Sequence, residues 1–417
     1  MAYGYGYGYR HGIGLGRPRL IVPGVTDNVI VSTTAQLATD YSSISNGFTS
    51  RRADYASAQG DITNIQCVDY KNYFDSSGGL HASDNHKVKR YLEYPAGVFH
   101  QVLWGGDPVL DFSSTGGTSN TSDVIISSVT GLPLVIPALA KFWWRTVNVT
   151  GSTVTKFPVI VRPASSQALG IDDGNSASDL GNSGTISATS TTNTFGPNGV
   201  NGTVLAANAK GFLIFGNSLA FGTGVISGVG SQGSSGWIGM GLDGRHPHVK
   251  MTAPGITAQE FVGMIGSTTL QGFMSRLGFT DVICELGIND LSLGSRSPAQ
   301  VMADQQSLYN WAKTYNLRGN IRVGQTTITA RTTSTDGWSS EANQTPKTDG
   351  TYGQVNDLNA LIRGGPANVD YVIDAADFDM TVRDSVIHAG PYPCSTDGTH
   401  FDFAKAADMA TKLSAVI

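Results

Sequence analysis

A serine that follows a short apolar run is the first residue of this chain with a chemical use. The run is Phe212 to Phe215 in GFLIFGNSLAFGTG, and Ser218 comes shortly after it. At such a strand-to-helix turn a serine is either an ordinary turn residue, favoured for its local hydrogen bonding, or a nucleophile. A nucleophile needs an adjacent base. Histidine is the usual one, because its pKa lies near working pH, and a carboxylate must then hold its tautomer and stabilise the imidazolium. CSTDGTHFD near the C-terminus offers both, as Asp397 and His400. Three residues apart on a tight turn, they fall on one side, so the carboxylate reaches the ring. Asp402 is two residues further on, is expected to point elsewhere and stands second for the acid role. Acyl transfer also needs donors aimed at the developing oxyanion. Candidates are the amide of Ser218, the amide of Gly255, where a missing side chain permits close approach of backbone to ligand, and the side-chain amide of Asn289.

These residues must be positioned by elements that the same sequence specifies. From about residue 206 the pattern alternates. GFLIF, TDVICEL, NIRVGQTTI and VDYVIDA read as buried strands. TAQEFVGMIGSTTLQGFMSRLG places Phe261, Met264, Ile265, Leu270, Phe273, Met274 and Leu277 near helical spacing. SPAQVMADQQSLYNWAKTYN predicts a helix with Ser297 as N-cap and Pro298 at its first position. VNDLNALIR and the closing FAKAADMATKLSAV are further helices. Strands alternating with helices imply a mostly parallel α/β sheet covered on both faces. The ligand site of such a sheet lies beyond the carboxyl ends of its strands. Those ends carry Ser218, Asn289 and the Asp-x-x-His.

Residues 21–205 read as a β-rich, sandwich-like domain. DNVIVS, HQVLW and DVIISSV are short β-branched runs. RTVNVTGSTVTKFPVIVRP reads as a hairpin, with Gly151 and Ser152 at its turn. Residues 172–203 read as a polar loop or linker. Residues 1–20 alternate glycine and tyrosine and read as a flexible arm, since ordering glycine is costly.

The chain has 417 residues, a formal net charge of −5 and three cysteines, Cys67, Cys284 and Cys394. That is long enough for two or three domains. No basic run suggests nucleic acid as a partner. The cysteines form neither a disulfide framework nor a metal-ligand spacing, and no cofactor is implied. The N-terminus lacks the apolar core of a secretory signal. GLPLVIPALAKFWW comes closest to a membrane span, but two prolines and Lys141 interrupt it. A soluble protein is expected, released by lysis or carried on a particle if it works outside a cell, with virion-associated or extracellular placement favoured.

Gly-Asn-Ser-Leu at 216–219, Gly255, Gly-Ile-Asn-Asp at 287–290 and Asp-Gly-Thr-His at 397–400 occur in that order. Together they resemble the SGNH (GDSL-like) hydrolase superfamily over residues 206–417. The resemblance implies a three-layer α/β/α sandwich and metal-free esterase, lipase or carbohydrate-deacetylase chemistry. By position it makes Ser218 the nucleophile, His400 the base and Asp397 the acid. Ser218, Gly255 and Asn289 then form the oxyanion hole. Asn217 stands where the family has Asp, and Ile288 where a small or polar residue is frequent, which suggests a more apolar pocket wall. The pentapeptide at the serine lacks the second glycine of the Gly-x-Ser-x-Gly elbow, which argues against the α/β-hydrolase family.

The remaining candidates have plainer explanations. His246 and His248 in GRHPHVK, and His81 and His86 in LHASDNHK, read as surface-loop residues rather than metal ligands. Trp143 and Trp144 read as β-core packing before a sugar-stacking surface. Glu285 reads as a paired carboxylate or a support for Asn289, and Asp290 as an organiser of the Asn289 turn. Trp338 sits in a loop that either walls the substrate or does not. The functional expectation is a serine esterase removing a short acyl group, most simply acetate, from a polymeric carbohydrate. Its alternatives are an adhesive or particle-borne protein, assembled as an oligomer through its N-terminal region, and a lipase or thioesterase for longer chains. For the last there is no amphipathic lid.

Overall fold

A computed structural model describes residues 24–75, 79–112, 118–161, 172–188, 193–225 and 228–417. The glycine–tyrosine arm lies outside the described residues.

The C-terminal half is built on a six-stranded sheet. Its order is Ala35–Gln36, His248–Thr252, Phe212–Gly216, Asp281–Cys284, Arg322–Thr326 and Tyr371–Ile373. Every neighbouring pair is parallel. The reason lies in the strand side chains, which alternate between two apolar faces. Leu213 and Phe215 pack with Val249, Met251, Val282 and Cys284 against Phe261, Met264, Leu308 and Trp311. Phe212, Ile214 and Ile283 face the opposite layer, with Trp237, Leu358, Ile362 and Leu413. Helices therefore cover both faces, giving the α/β sandwich expected. Counting only strands from residue 212 onward, the order is 2-1-3-4-5. The chain reverses direction across the sheet between the strand ending at Gly216 and the strand ending at Cys284. In open sheets of this kind ligands bind at that switch point.

Helix Pro298–Thr314 starts as expected. Ser297 and Gln300 form a reciprocal capping box and Pro298 occupies the first turn. The expected long helix after Gly255 is instead two helices, Ala258–Ile265 and Thr268–Met274. The run Gly266, Ser267, Thr268, Thr269 is poor in helix formers, and Gly266 ends the first helix.

The N-terminal half consists mainly of antiparallel sheets, four-, six- and three-stranded. Trp144 is fully buried with Phe142 and Leu92. Trp143 lies on the other face of its strand, under the Arg51 guanidinium at 4.2 Å. Several expectations fail here. Lys141–Asn148 and Val154–Val161 do not form a hairpin. The first is flanked on both edges by Thr49–Tyr55 and Lys87–Glu93, while the second joins Asp40–Ile44 and Asn193–Thr194 in another sheet. With both edges of the first strand occupied, the turn at Gly151 carries the chain from one sheet to the next. DVIISSV forms no strand beyond a bridge of Ile126 with Pro133, and Val129 is 75% exposed. Within residues 172–203, read as a linker, lie the strands Gly174–Ser176 and Asn193–Thr194 and most of Gly199–Val204. Gly199–Val204 is an inner strand with Val200 and Val204 fully buried. Its glycine, asparagine and threonine hide the alternation.

The two halves share a sheet and a core. Ala35–Gln36 completes the edge of the parallel sheet. Tyr70 packs against Phe273 with ring centres 5.1 Å apart, and Phe74 against Phe261 at 5.8 Å, both pairs tilted.

Candidate active site

The strand Phe212–Gly216 ends at the switch point, and Asn217 starts a four-residue helix, Ser218–Phe221. Asn217 caps it, its side-chain oxygen accepting from the Leu219 amide at 2.9 Å. The other end of the Asn217 amide donates to the Glu285 carbonyl at 3.3 Å. An aspartate could do the first of these and not the second, which gives the departure at 217 a physical role. The Asn217 backbone N–H donates to Glu285 Oε2 at 3.1 Å. Burial pushes the Glu285 carboxyl up to about 8, against the pull of the Asn217 and Ala220 amides. The Glu285 carboxyl thus lies beneath the serine turn. Ser218 opens its helix, where backbone N–H groups have no intrahelical partner.

The next strand end turns through Ala253–Ile256. The Ile256 amide closes on the Ala253 carbonyl at 3.4 Å, and Gly255 has φ +81°. Proline then glycine with positive φ is the requirement of a type II turn, which leaves the glycine N–H unused by the turn. The Ala253 amide reaches the Gly216 carbonyl at 3.3 Å, fixing this turn beside the serine. Asn289, 8% exposed, donates from Nδ2 to the Ile256 carbonyl at 3.0 Å, next to Gly255. Its second amide hydrogen remains for a ligand. Asp290 reaches beyond its own turn. Its carboxylate crosses to the helix Ala258–Ile265 and accepts from the Ala258 and Gln259 amides at 2.9 and 3.2 Å. Burial raises its carboxyl to about 6, opposed by those amides. Asn289 and Gly255 are thereby tied to one another through two bridges. Ile288 is no pocket wall. It is 2% exposed and packs with Leu291, Val355 and Leu358 in the core.

His400 Nε2 lies 2.8 Å from Ser218 Oγ, and its Nδ1 lies 2.7 Å from Asp397 Oδ2. A carboxylate only accepts, so Nδ1 carries the proton and the Nε2 lone pair faces the hydroxyl. Asp397 Oδ1 accepts the Thr399 and His400 amides, each at 2.9 Å. Burial alone would raise the Asp397 carboxyl, but the His400 ring and these amides outweigh it and hold it well below the usual carboxylate range. Asp402 does point elsewhere, capping the last helix by accepting from the Lys405 amide at 2.8 Å.

The turn carrying Asp397 and His400 is fixed from behind. Gly398 has φ +78°, and a Cβ there would come within 1.8 Å of the Thr332 carbonyl. The Thr332 amide donates to the Gly398 carbonyl at 2.8 Å, and Ser395 Oγ bridges the Gly398 amide and the His400 carbonyl at 2.8 and 2.7 Å. Trp338 packs against Gly398 and donates its Nε1–H to Thr332 Oγ1 at 2.9 Å, so its ring braces the back of the turn.

Two of the four histidines read as surface residues, His86 and His248, are buried, and His246 is partly buried. His248 is fully buried in the sheet beside Ser234, and burial lowers it to about 3. His86 lies between Phe112 and Phe157 at 4.9 and 4.6 Å and is lowered by burial to about 4. His246 lies against Phe212 at 5.2 Å and is lowered by burial to about 4. His81 remains partly exposed, paired with Asp75 at 2.8 Å. Missed altogether was a buried set behind the Asp397–His400 turn, formed by Asp379, His388 and Lys405. Its members are scattered through unremarkable sequence, and no spacing announced it.

Neither a protein-family model nor a curated protein sequence matches the chain. Among solved structures, a carbohydrate acetylesterase from Sinorhizobium meliloti is similar over 50% of this chain and 98% of its own, at 17% identity and TM-score 0.35. A GDSL-like lipase from Bacteroides thetaiotaomicron VPI-5482 is similar over 50% of this chain and 87% of its own, at 15% identity and TM-score 0.34. A protein from Bacillus subtilis is similar over 87% of this chain and 79% of its own, at 14% identity and TM-score 0.34. These are likenesses of shape at low identity.

Proposed function

We propose that the chain is an SGNH-type serine esterase that removes short acyl groups, most simply acetate, from a polymeric carbohydrate. One observation carries the reading: an unbroken relay from Asp397 through His400 to Ser218, at the switch point of a parallel sheet. Ser218 Oγ attacks the ester carbonyl carbon while its proton passes to His400 Nε2. Asp397 stabilises the imidazolium. The amides of Ser218 and Gly255 and the Asn289 side chain hold the oxyanion. The tetrahedral adduct expels the alcohol, which takes the proton from His400. Water then attacks the acyl-enzyme, giving its proton to His400, and Ser218 leaves with that proton as the free acid forms. The carbohydrate preference rests on the polar, glycine-, serine- and threonine-rich β half joined to the hydrolase half. Hydrolysis of p-nitrophenyl acetate beside a longer acyl ester, by native protein and Ser218→Ala, tests the reading. Activity favouring acetate and abolished in the variant supports it, and equal activity in both removes Ser218 from the mechanism.

A second reading, a particle or surface-assembly protein, is favoured by one feature. Ile126, Val129, Leu132, Val135 and Leu139 are all exposed within one short segment. A monomer by light scattering, with no binding on a glycan array, would count against it.

A further inference from the structure

We infer that the buried set Asp379, His388 and Lys405 holds the Asp397–His400 turn in register with Ser218, and that His388 is the positioning residue. The inference rests on the esterase reading for its kinetic consequence. Its geometry is independent of that reading.

The side chains of Asp379, His388 and Lys405 are 0% exposed. Asp379 ends the helix Ala375–Asp379, His388 lies in the loop that follows, and Lys405 lies in the first turn of the last helix. His388 Nδ1 is 3.0 Å from both Asp379 carboxylate oxygens. Its Nε2 is 3.3 Å from the Gly398 carbonyl. A carboxylate and a carbonyl can only accept, so a hydrogen bond at either end needs a ring N–H there. Lys405 Nζ donates to the Asp379 carbonyl at 3.0 Å and the Gly390 carbonyl at 3.3 Å, and pairs with Asp379 Oδ1 at 3.3 Å. Asp379 Oδ2 also accepts from the Ala330 amide at 2.8 Å. Gln344 grips the His388 backbone at both ends, accepting from its N–H at 3.2 Å and donating to its carbonyl at 3.0 Å. The ring therefore has little freedom to move.

The target of this set is the turn itself. The Gly398 carbonyl sits between Asp397 and His400 and receives two donors, the Thr332 amide and His388 Nε2. Burying ions is expensive, and well-packed apolar residues would often stabilise the fold as well. What apolar residues cannot do is donate to that carbonyl from behind. Tilting the turn would swing His400 Nε2 away from Ser218 Oγ, and a displacement of about 1 Å at a reacting group costs about 100-fold in rate.

The test uses two variants and the native protein. His388→Gln keeps a donor near the place of Nε2. His388→Asn keeps one near Nδ1, toward Asp379, and loses the reach to Gly398. On a short acyl ester we expect kcat of His388→Asn to fall about 10- to 100-fold with KM within about twofold, and His388→Gln to recover most of the loss. Native kcat in both variants, or an equal loss in both, overturns the inference, the latter indicating only a packing role. In the native protein, nitrogen NMR of the His388 ring should show a proton on both nitrogens, and a bare Nε2 overturns the inference whether or not the variants fold. That readout needs no activity. Failure of the native protein to cleave any ester would count against the esterase reading and leave the His388 result standing.

Discussion

Asp397–His400 and Asp379–His388 are the same chemical pair in opposite surroundings. The side chains of the first are 50% and 21% exposed at the mouth of the site, and those of the second are 0% exposed behind it. In both, Nδ1 faces a carboxylate at 2.7 to 3.0 Å. They differ at the far nitrogen. His400 Nε2 meets a hydroxyl that can surrender a proton, whereas His388 Nε2 meets a carbonyl that cannot. An aspartate–histidine pair is thus no signature of catalysis by itself. As proposed, the pair whose second nitrogen faces a hydroxyl moves a proton, and the pair whose second nitrogen faces a carbonyl holds a backbone.

The largest expected effect falls on the exposed pair and its target. His400→Ala or Ser218→Ala should lower ester turnover by on the order of 10⁴ to 10⁶, with thermal unfolding little changed. A substantial loss of stability would erase the contrast between the pairs. Asp397→Asn should cost on the order of 10⁴ in kcat while changing stability by less than about 1 kcal/mol, as expected of a solvent-exposed partner. Asp379→Asn should behave in the opposite sense. It leaves His388 and Lys405 buried without their anion and should cost about 3–5 kcal/mol in a urea titration. If Asn289 donates to the oxyanion as proposed, Asn289→Ala should reduce kcat by about 10² to 10³ with little change in KM.

A further contrast concerns Glu285. Its folded-state value near 8 stands against an ordinary 4.5. Between those values the folded protein keeps a proton that the unfolded chain has released, so this group makes stability fall as pH rises through the window. Glu285→Gln should flatten that part of the stability–pH curve measured from about pH 5 to 8. An unchanged slope would mean that the carboxyl is ionised in the fold.

Most strands and helices after residue 206 were legible because they carry their own signal: apolar runs of strand length, helical periodicity, and Ser297–Pro298 at a helix start. The strand His248–Thr252 and the helices Trp237–Leu242 and Ala375–Asp379 carry none that stood out. The grouping of Ser218, Gly255, Asn289, Asp397 and His400 was legible because parallel strands bring their carboxyl ends to one edge. The β half was less legible. Val154–Val161 alternates as a hairpin strand would, yet nothing local tells it which sheet to join. Gly199–Val204 has too few β-branched residues to be distinguished from a loop, and its burial comes from its neighbours. His248 has a polar side chain, and only the strand around it makes it core. Asp379, His388 and Lys405 meet through tertiary folding alone.

The two-residue strand Ala35–Gln36 also bears on the order in which the chain can be completed during synthesis. Its partners are Val249 and Lys250. At about 5–20 residues per second, those partners follow it from the ribosome by about 10 to 40 s. The N-terminal half must wait through that interval with part of its apolar surface, including Tyr70 and Phe74, uncovered. Contacts this distant in sequence slow folding. A chain cut near residue 206 would leave both pieces with an open face. Expression of either half alone should therefore reward a chaperone, or the other half supplied in trans, far more than expression of the whole.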